Sequence, residues 1–309
     1  MIVKHNISLQ QLSWVKSNKQ AFDADGFLVP NVYYPESIEE LKTLTLELLK
    51  NKQKFLVLGY SSNTLFLPSY RINNIIVTKK LCSWKETSNT IICECGLAVT
   101  KLAKAMVKKG YEGFEGLTDL PGTIAAAVYG NCGCRNCSVN ALLSKITFLN
   151  IRDGKIYDIL PTELNLSYRC SVIKRGELSG VILTVELVKK VGNVGRLKAL
   201  AEENHQIRLK HQPTGVNNLG TTFIGGHKKT FKGKIFTLVE YIIRLFLKDT
   251  RKSYPILLMI MGKRKYVPYI YYWNRYMFND LKSFDLFSEY YLFLKSLYKD
   301  VKLEIEVRA

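Results

Sequence analysis

The apolar positions change period along the chain, and the changes mark out elements. Ile38, Leu41, Leu44 and Leu48 recur at helical spacing, which predicts a helix with one apolar face. Ser37 stands at the N-cap position, and Glu39 and Glu40 follow in the first turn, where carboxylates meet the positive end of the helix dipole. Phe55 to Leu58 is a continuous apolar run of strand length, so the stretch from Ala21 onward reads strand, turn, helix, strand. Ile72 to Thr78 and Thr90 to Cys95 predict two further strands, and Gly96 leads into a helix over Val99 to Lys109 with Leu102, Ala103, Met106 and Val107 on one face. Ile146 to Ile151 and Lys155 to Ile159 flank Asp153-Gly154 as the arms of a hairpin. Gly180 to Val188 reads as a strand and Leu197 to Leu209 as a charged helix. Strands that follow one another before a helix point to an α+β cofactor domain, and no G-x-G-x-x-G follows a strand, which argues against a doubly wound nucleotide site.

The last third is patterned differently. Phe236, Val239, Ile242, Ile243 and Phe246 predict a helix face, and such a face is expected in the core; left exposed, it would meet a membrane or another protein. Phe284 to Tyr298 reads as helix, and Val301 to Arg308 alternates like a half-exposed strand. Residues 1–20 are polar and weakly patterned, an N-terminal extension.

Composition bounds the function. A chain of 309 residues with 47% hydrophobic content buries a core and holds two or three domains. No apolar run reaches the roughly 18 residues of a spanning helix, and the N-terminus has no signal-peptide layout, so the expected location is cytoplasmic. Lys and Arg number 45 against 26 acids, a net charge of +19. These cations are scattered, without a dense block, so nucleic-acid binding rests on charge alone, and an anionic small substrate suits the balance equally well. Seven cysteines is an odd number, which argues against a fully paired disulfide framework. Cys132, Cys134 and Cys137, with Cys93 and Cys95, invite a metal reading, but the spacing is not a paired C-x-x-C set; reduced thiols and no metal are expected.

The densest chemistry lies between Gly113 and Cys137. Leu120-Pro121-Gly122-Thr123 fixes a turn, Thr123 caps a short helix over Ile124 to Val128, and free N–H groups at that helix start would seat a pyrophosphate. An ordinary strand-turn-helix connection is the alternative. Gly59-Tyr60-Ser61-Ser62-Asn63-Thr64 follows a strand directly and reads either as a phosphate loop or as a polar turn.

Gly113-Phe114-Glu115-Gly116, Leu120-Pro121-Gly122-Thr123 and Asn131-Cys132-Gly133 together resemble the signature of the UDP-N-acetylenolpyruvoylglucosamine reductase family, flavoenzymes that complete UDP-N-acetylmuramate in peptidoglycan precursor synthesis. The resemblance extends to Tyr168-Arg169-Cys170-Ser171, to Arg208-x-x-x-Gln212-Pro213, to Asn218-Leu219-Gly220-Thr221-Thr222-Phe223 and to the closing Leu303-Glu304-Ile305-Glu306-Val307-Arg308. It implies an α+β fold: a two-subdomain FAD-binding module of the vanillyl-alcohol-oxidase (PCMH) type over 21–190, with subdomains of about 21–80 and 81–190, then an α+β substrate-binding domain over 197–309 that diverges at 227–273. It implies non-covalent FAD held by Gly59, Ser61, Ser62, Asn63, Thr64, Pro121, Gly122, Thr123, Asn131, Gly133 and Ile182. It further implies NADPH as reductant and a UDP-sugar substrate bound by Tyr168, Arg169 and Asn218, without nucleic acid. Arg169, Thr221 and Glu306 are the implied catalytic residues: the guanidinium binds the substrate carboxylate, Thr221 stands on the family's proton-donating Ser, and Glu306 stands on its catalytic Glu. The chain departs from the pattern at Tyr60 and Ser61, at Ala125 and Ala126, at Thr221, at Ile224 to Gly226 and at Ile305. These departures leave a second reading open, a relative that acts on another sugar nucleotide or serves as a non-catalytic binding or assembly protein.

Overall fold

The computed structural model describes residues 4–8, 28–66, 70, 72–212, 219–270, 275–278 and 284–308. Most of the expected N-terminal extension, together with Pro213 and Asn218, lies outside the described residues. In chain order the elements are β1 (Lys4–Ser8), β2 (Leu28–Tyr33), α1 (Ile38–Lys50), β3 (Phe55–Leu58), β4 (Thr64–Phe66), β5 (Asn74–Val77), β6 (Trp84–Glu86), β7 (Thr90–Glu94), α2 (Val99–Lys109), α3 (Ile124–Tyr129), β8 (Gly133–Cys134), β9 (Cys137–Ser138), β10 (Leu143–Asn150), β11 (Ile156–Ile159) and β12 (Gly180–Val188). There follow α4 (Val194–His211), β13 (Phe223–Ile224), α5 (Phe231–Leu245), α6 (Ser253–Ile260), α7 (Phe284–Leu297), β14 (Lys302–Leu303) and β15 (Glu306–Arg308). The described residues form two compact units: one of 4–8, 28–61 and 72–208, the other of 62–66, 70, 209–212, 219–270, 275–278 and 284–308.

Among the described residues the first unit carries two larger sheets and the two-stranded ribbon β8-β9. A four-stranded sheet runs in the order β1-β2-β5-β3, with β1 antiparallel to β2 and the β2–β5 and β5–β3 pairs parallel. Parallel β2 and β3 need a crossover, and α1 is that crossover. The helix starts where its cap dictates, with the Glu40 N–H donating to Ser37 Oγ at 3.1 Å. It buries Leu41, Leu44 and Leu48 in a core shared with Ile76, Leu149, Val181 and Leu183. The five-stranded sheet is antiparallel throughout, in the order β11-β10-β12-β7-β6. Leu102, Ala103, Met106 and Val107 of α2 and Ile124, Ala127 and Val128 of α3 cluster with Ile146, Phe148 and Val185 of this sheet. The helix ends where expected, at Gly110 in the left-handed conformation with φ of 86°.

Among its described residues the second unit is built on short strands and the helices α5, α6 and α7. Strand β13 pairs antiparallel with β14, and β15 pairs parallel with β4. The expected continuous strand over Val301 to Arg308 is therefore two pieces with different partners. Its core is aromatic: Phe278 and Tyr290 rings stack at 4.8 Å, Phe223 stacks on Phe287 at 5.6 Å, and Phe236 meets Tyr254 edge-on at 5.9 Å. Glu240 is buried among them and bound by Arg275 and Arg244. The helix face expected in the core is corrected by the structure. Phe236 is buried, but Ile242 and Phe246 are exposed, because α5 packs through Gly233, Phe236 and Glu240 instead. No helix among the described residues is long and apolar enough to cross a membrane.

Candidate functional site

The segment from Gly113 to Cys137 is shaped by close backbone approaches in the first unit. A Cβ on Gly113, which has φ of 89°, would sit 2.8 Å from Leu142 Cδ2, so only glycine meets both the conformation and the space. Gly122, with φ of 109°, turns the chain so that its carbonyl accepts from the Val99 N–H at 3.1 Å. Thr123 is buried and caps α3, its Oγ1 accepting from the Ala126 N–H at 3.4 Å. The N–H groups of α3 itself are not free. The Ile124 N–H donates to the Leu97 carbonyl at 2.8 Å and the Ala125 N–H to the Cys95 carbonyl at 3.2 Å, because the β7–α2 connection packs across the helix end. With Ala126 taken by the cap, the first turn of α3 has no spare N–H, and the donors left at this helix start are those of Gly122 and Thr123, which have no main-chain acceptor among the described residues.

Donors are also present on the loop after β3. The main-chain N–H groups of Tyr60, Ser61 and Ser62 have no intramolecular acceptor among the described residues, and Ser61, at φ of 49°, carries a buried Oγ without a partner. A buried donor without an acceptor, as at Ser61 Oγ, is costly unless a ligand supplies one, and a diphosphate is rich in acceptors. This donor set therefore fits the diphosphate of a dinucleotide. Two expected cofactor residues far apart in sequence meet here: Gly59 lies so close to Thr123 that a Cβ on it would stand 2.4 Å from Thr123 Oγ1. Beside the loop, a surface cleft of about 560 Å³ is lined by Glu36, Tyr60, Lys79, Lys80 and Cys82. Burial pushes the Tyr60 phenol up, so it stays protonated and can donate.

Asn131, at φ of 44°, ties a second group together. Its Nδ2 donates to the Ser167 carbonyl and its Oδ1 accepts from Asn140 Nδ2, each at 2.6 Å. Ser167 and Cys170 close a tight turn with reciprocal main-chain bonds of 3.0 and 3.1 Å, placing Tyr168 and Arg169 at its tip. Arg169 has φ of 55°, a conformation that costs a non-glycine residue about 1 kcal/mol, and its guanidinium lies 5.5 Å from the Tyr168 ring. Ser171 anchors the far side, its buried hydroxyl donating to the Tyr129 carbonyl at 2.7 Å. Asn140 and Ser171 thus support the turn that holds Arg169, and sequence motifs alone did not single them out for that purpose. Gly133 packs against β9, where a Cβ would stand 2.6 Å from the Cys137 carbonyl, and the Ile182 side chain is buried in the core beneath β12.

All seven cysteines are free thiols. Burial pushes the Cys93 and Cys95 thiols up to about 12, which keeps them protonated and inert.

The second unit gathers the remaining residues. The Glu306 N–H donates to the Asn63 carbonyl at 2.8 Å, Asn63 Nδ2 donates to the Glu304 carbonyl at 3.2 Å, and Glu306 is the direct partner of Thr64 in the β15–β4 pair. The Glu304 N–H in turn donates to the Thr222 carbonyl at 2.9 Å. Residues 63, 222, 304 and 306 are therefore one hydrogen-bonded frame, with Thr221 next to it in the chain. Thr222 is fully buried and exchanges bonds with the Phe278 main chain at 3.1 and 3.2 Å, so its hydroxyl is structural. Thr221 is half-buried, and Gly220 before it turns the chain at φ of 74°. Arg308 reaches the Glu306 carboxylate at 3.8 Å. Arg169 belongs to the first unit, and Thr221 and Glu306 to the second.

Comparison with known proteins adds an independent line. Residues 29–159 match the family model of an FAD binding domain. The chain is 29% identical over 266 residues to the UDP-N-acetylenolpyruvoylglucosamine reductase of Thermosipho melanesiensis, covering 85% of this chain and 83% of that one. It is 30% identical over 190 residues to the enzyme of the same name from Carboxydothermus hydrogenoformans, covering 61% and 62%. The solved reductase of Thermus caldophilus superimposes with a TM-score of 0.70 over the whole of both chains at 17% identity, which shows the shared fold.

Proposed function

The chain belongs to the UDP-N-acetylenolpyruvoylglucosamine reductase family, and from that premise we propose that it reduces UDP-N-acetylenolpyruvoylglucosamine to UDP-N-acetylmuramate, with FAD as its flavin and NADPH as reductant. The observation that carries the reading is the frame of the second unit, in which Asn63 and Thr64 of the proposed flavin loop stand beside the proposed catalytic Glu306, though more than two hundred residues separate them in sequence. Bound FAD supplies hydride transfer, which no amino-acid side chain performs.

The chain's own residues bind, orient and move a proton. Tyr60, Ser61 and Ser62 present main-chain donors to the flavin diphosphate, and Gly59 gives Thr123 room to approach. Arg169 grips the substrate carboxylate through its planar fork. Its left-handed backbone sets the side chain at the tip of the 167–170 turn, a strain that Asn131 and Ser171 sustain. Glu306 steadies the polarised enolpyruvyl group, and the hydroxyl of Thr221 delivers the proton that completes the reduction at the α-carbon. The extra methyl of Thr221, relative to the family's Ser, restricts χ1 and slows that delivery without removing it. Residues 197–309 form the substrate-binding domain in this reading. The cytoplasm is its place, where NADPH and nucleotide sugars are made.

Purified protein tests the proposal. It is expected to be yellow with a flavin absorbance band, and its NADPH oxidation is expected to accelerate on addition of UDP-N-acetylenolpyruvoylglucosamine. Bound flavin with no turnover of that substrate would remove the reductase assignment.

A further inference from the structure

Helix α5 has two apolar faces, and the fold uses one. It packs inward through Gly233, Phe236 and Glu240, with the Phe236 ring against Tyr254 and Phe293. Phe231, Ile235, Leu238, Ile242 and Leu245 step by four, three, four and three residues and so trace a stripe along the opposite side of the helix, continued by Phe246. The stripe lies open: Phe231 is 80% exposed, Leu238 60%, Leu245 64% and Phe246 83%. Single exposed apolar residues need no explanation, but an uninterrupted stripe over the whole of a surface helix does.

Charge identifies the occupant. On either border of the stripe stand Lys232 and Lys234, and Lys248 and Lys252 follow the helix; all are exposed and none makes an ion pair among the described residues. The acids nearby are neutralised. Glu240, the one acid of α5, is buried under Arg244 and Arg275, and Asp249 is bound by Arg251. A second copy of the chain laid on this face would press lysines against lysines across an apolar contact, where repulsion is poorly screened. An anionic lipid bilayer accepts both features at once: the apolar stripe sinks to the headgroup and acyl boundary, and the flanking lysines reach the lipid phosphates with their stems lying along the apolar surface. The net charge of +19 reinforces the attraction at distance. We propose that the outer face of α5 docks the protein onto the surface of an anionic membrane, with the helix lying in the plane of the interface. This inference is independent of the catalytic reading, since the flavin and substrate residues proposed above do not include any residue of α5.

The test is co-sedimentation of the full chain, flavin content and circular dichroism checked, with vesicles of phosphatidylcholine containing phosphatidylglycerol and with vesicles of phosphatidylcholine alone. The wild-type protein is expected to pellet with the anionic vesicles, to be released by molar salt, and to stay in solution with the neutral ones. The combined Leu238→Gln, Ile242→Gln and Leu245→Gln variant, altered at solvent-facing positions that keep a helix-forming side chain, is expected to partition roughly tenfold or more weakly. Lys232→Gln with Lys234→Gln is expected to weaken anionic binding and flatten its salt dependence. No pelleting with anionic vesicles overturns the proposal, as does pelleting that the triple variant retains. A wild-type dimer in sedimentation equilibrium that the triple variant splits overturns it in favour of a second copy.

Discussion

Gly59 is a glycine for reasons of space, and Gly59→Ala isolates that reason. Its φ lies outside the left-handed region, so the backbone accepts any residue, but the new Cβ would stand 2.4 Å from Thr123 Oγ1, 2.6 Å from its Cγ2 and 3.1 Å from its Cβ. Thr123 cannot rotate away freely, because its Oγ1 caps α3 through the Ala126 N–H and the residue is buried. Overpacking at such a contact costs about 1–3 kcal/mol, and displacement of the cap adds about 1 kcal/mol. The expected loss for Gly59→Ala is therefore about 2–4 kcal/mol in the urea transition of the first unit, with weaker FAD binding in a fluorescence titration. Thr123→Ala alone loses the cap and its buried hydroxyl, about 1–2 kcal/mol. In the double variant the two closest clashing atoms are gone, so its loss is expected to match that of Thr123→Ala rather than the sum. A coupling of about 2–4 kcal/mol in this cycle is the signature of direct contact. Additive losses, or a Gly59→Ala protein within about 0.5 kcal/mol of wild type, would refute the argument from contact.

Other outcomes follow from the second unit. Glu240→Gln leaves buried Arg275 without its charge partner and is expected to lower stability by about 3–5 kcal/mol in thermal unfolding. Burial acts to raise the Glu240 carboxyl, but Arg275 and Arg244 outweigh it and hold the group below its ordinary 4.5. A carboxyl depressed by folding stabilises above its unfolded value, and that contribution is lost as pH falls through the folded one, so wild-type Tm is expected to drop below about pH 4.5 and part of that slope to vanish in Glu240→Gln. An unchanged slope would show that the acid sensitivity lies elsewhere. Asn63→Ala removes the bond to the Glu304 carbonyl and is expected to cost about 1 kcal/mol and to reduce kcat more than it raises KM, as misplacement of Glu306 would do. Thr221→Ser is expected to raise kcat in the NADPH assay, whereas Thr221→Ala is expected to lower it by about a hundredfold or more; equal rates for all three would remove Thr221 from proton delivery.

What the sequence made legible was local. Ser37, the apolar ladder of α1 and the turn at Gly122 each depend on residues within a few positions, and they fold as expected. The apolar face of α5 was legible as a face, but periodicity does not say which of two apolar sides meets the core; Gly233 decides it, because a Cβ there would strike the Leu297 carbonyl oxygen at 1.9 Å. The donors at the start of α3 looked free because the carbonyls that take them, Cys95 and Leu97, come from a connection almost thirty residues upstream. The partner of β15 was equally hidden. A parallel strand pair closing over more than two hundred residues leaves no local signal, and only the resemblance of Glu306 to a family position marked it.

The frame that holds Glu306 is built apart from the described residues of 227–270. The frame runs from Thr222 through Glu304 and Asn63, and its supporting bonds go to Tyr276 and Phe278; none of the described residues of 227–270 takes part in these bonds. That stretch is stabilised separately, by aromatic contacts of Phe236, Tyr254 and Tyr266 with α7 and by the Glu240, Arg244 and Arg275 cluster. It joins the frame's neighbourhood through Asp300, whose carboxylate accepts from the N–H groups of Gly226, His227 and Lys228 at 2.9–3.1 Å. Three main-chain donors on one carboxylate fix where the stretch begins whatever side chains follow, so its helices are free to change sequence without moving β13, β14 or β15. The outer face of α5 can thereby change at little cost to the residues proposed for catalysis.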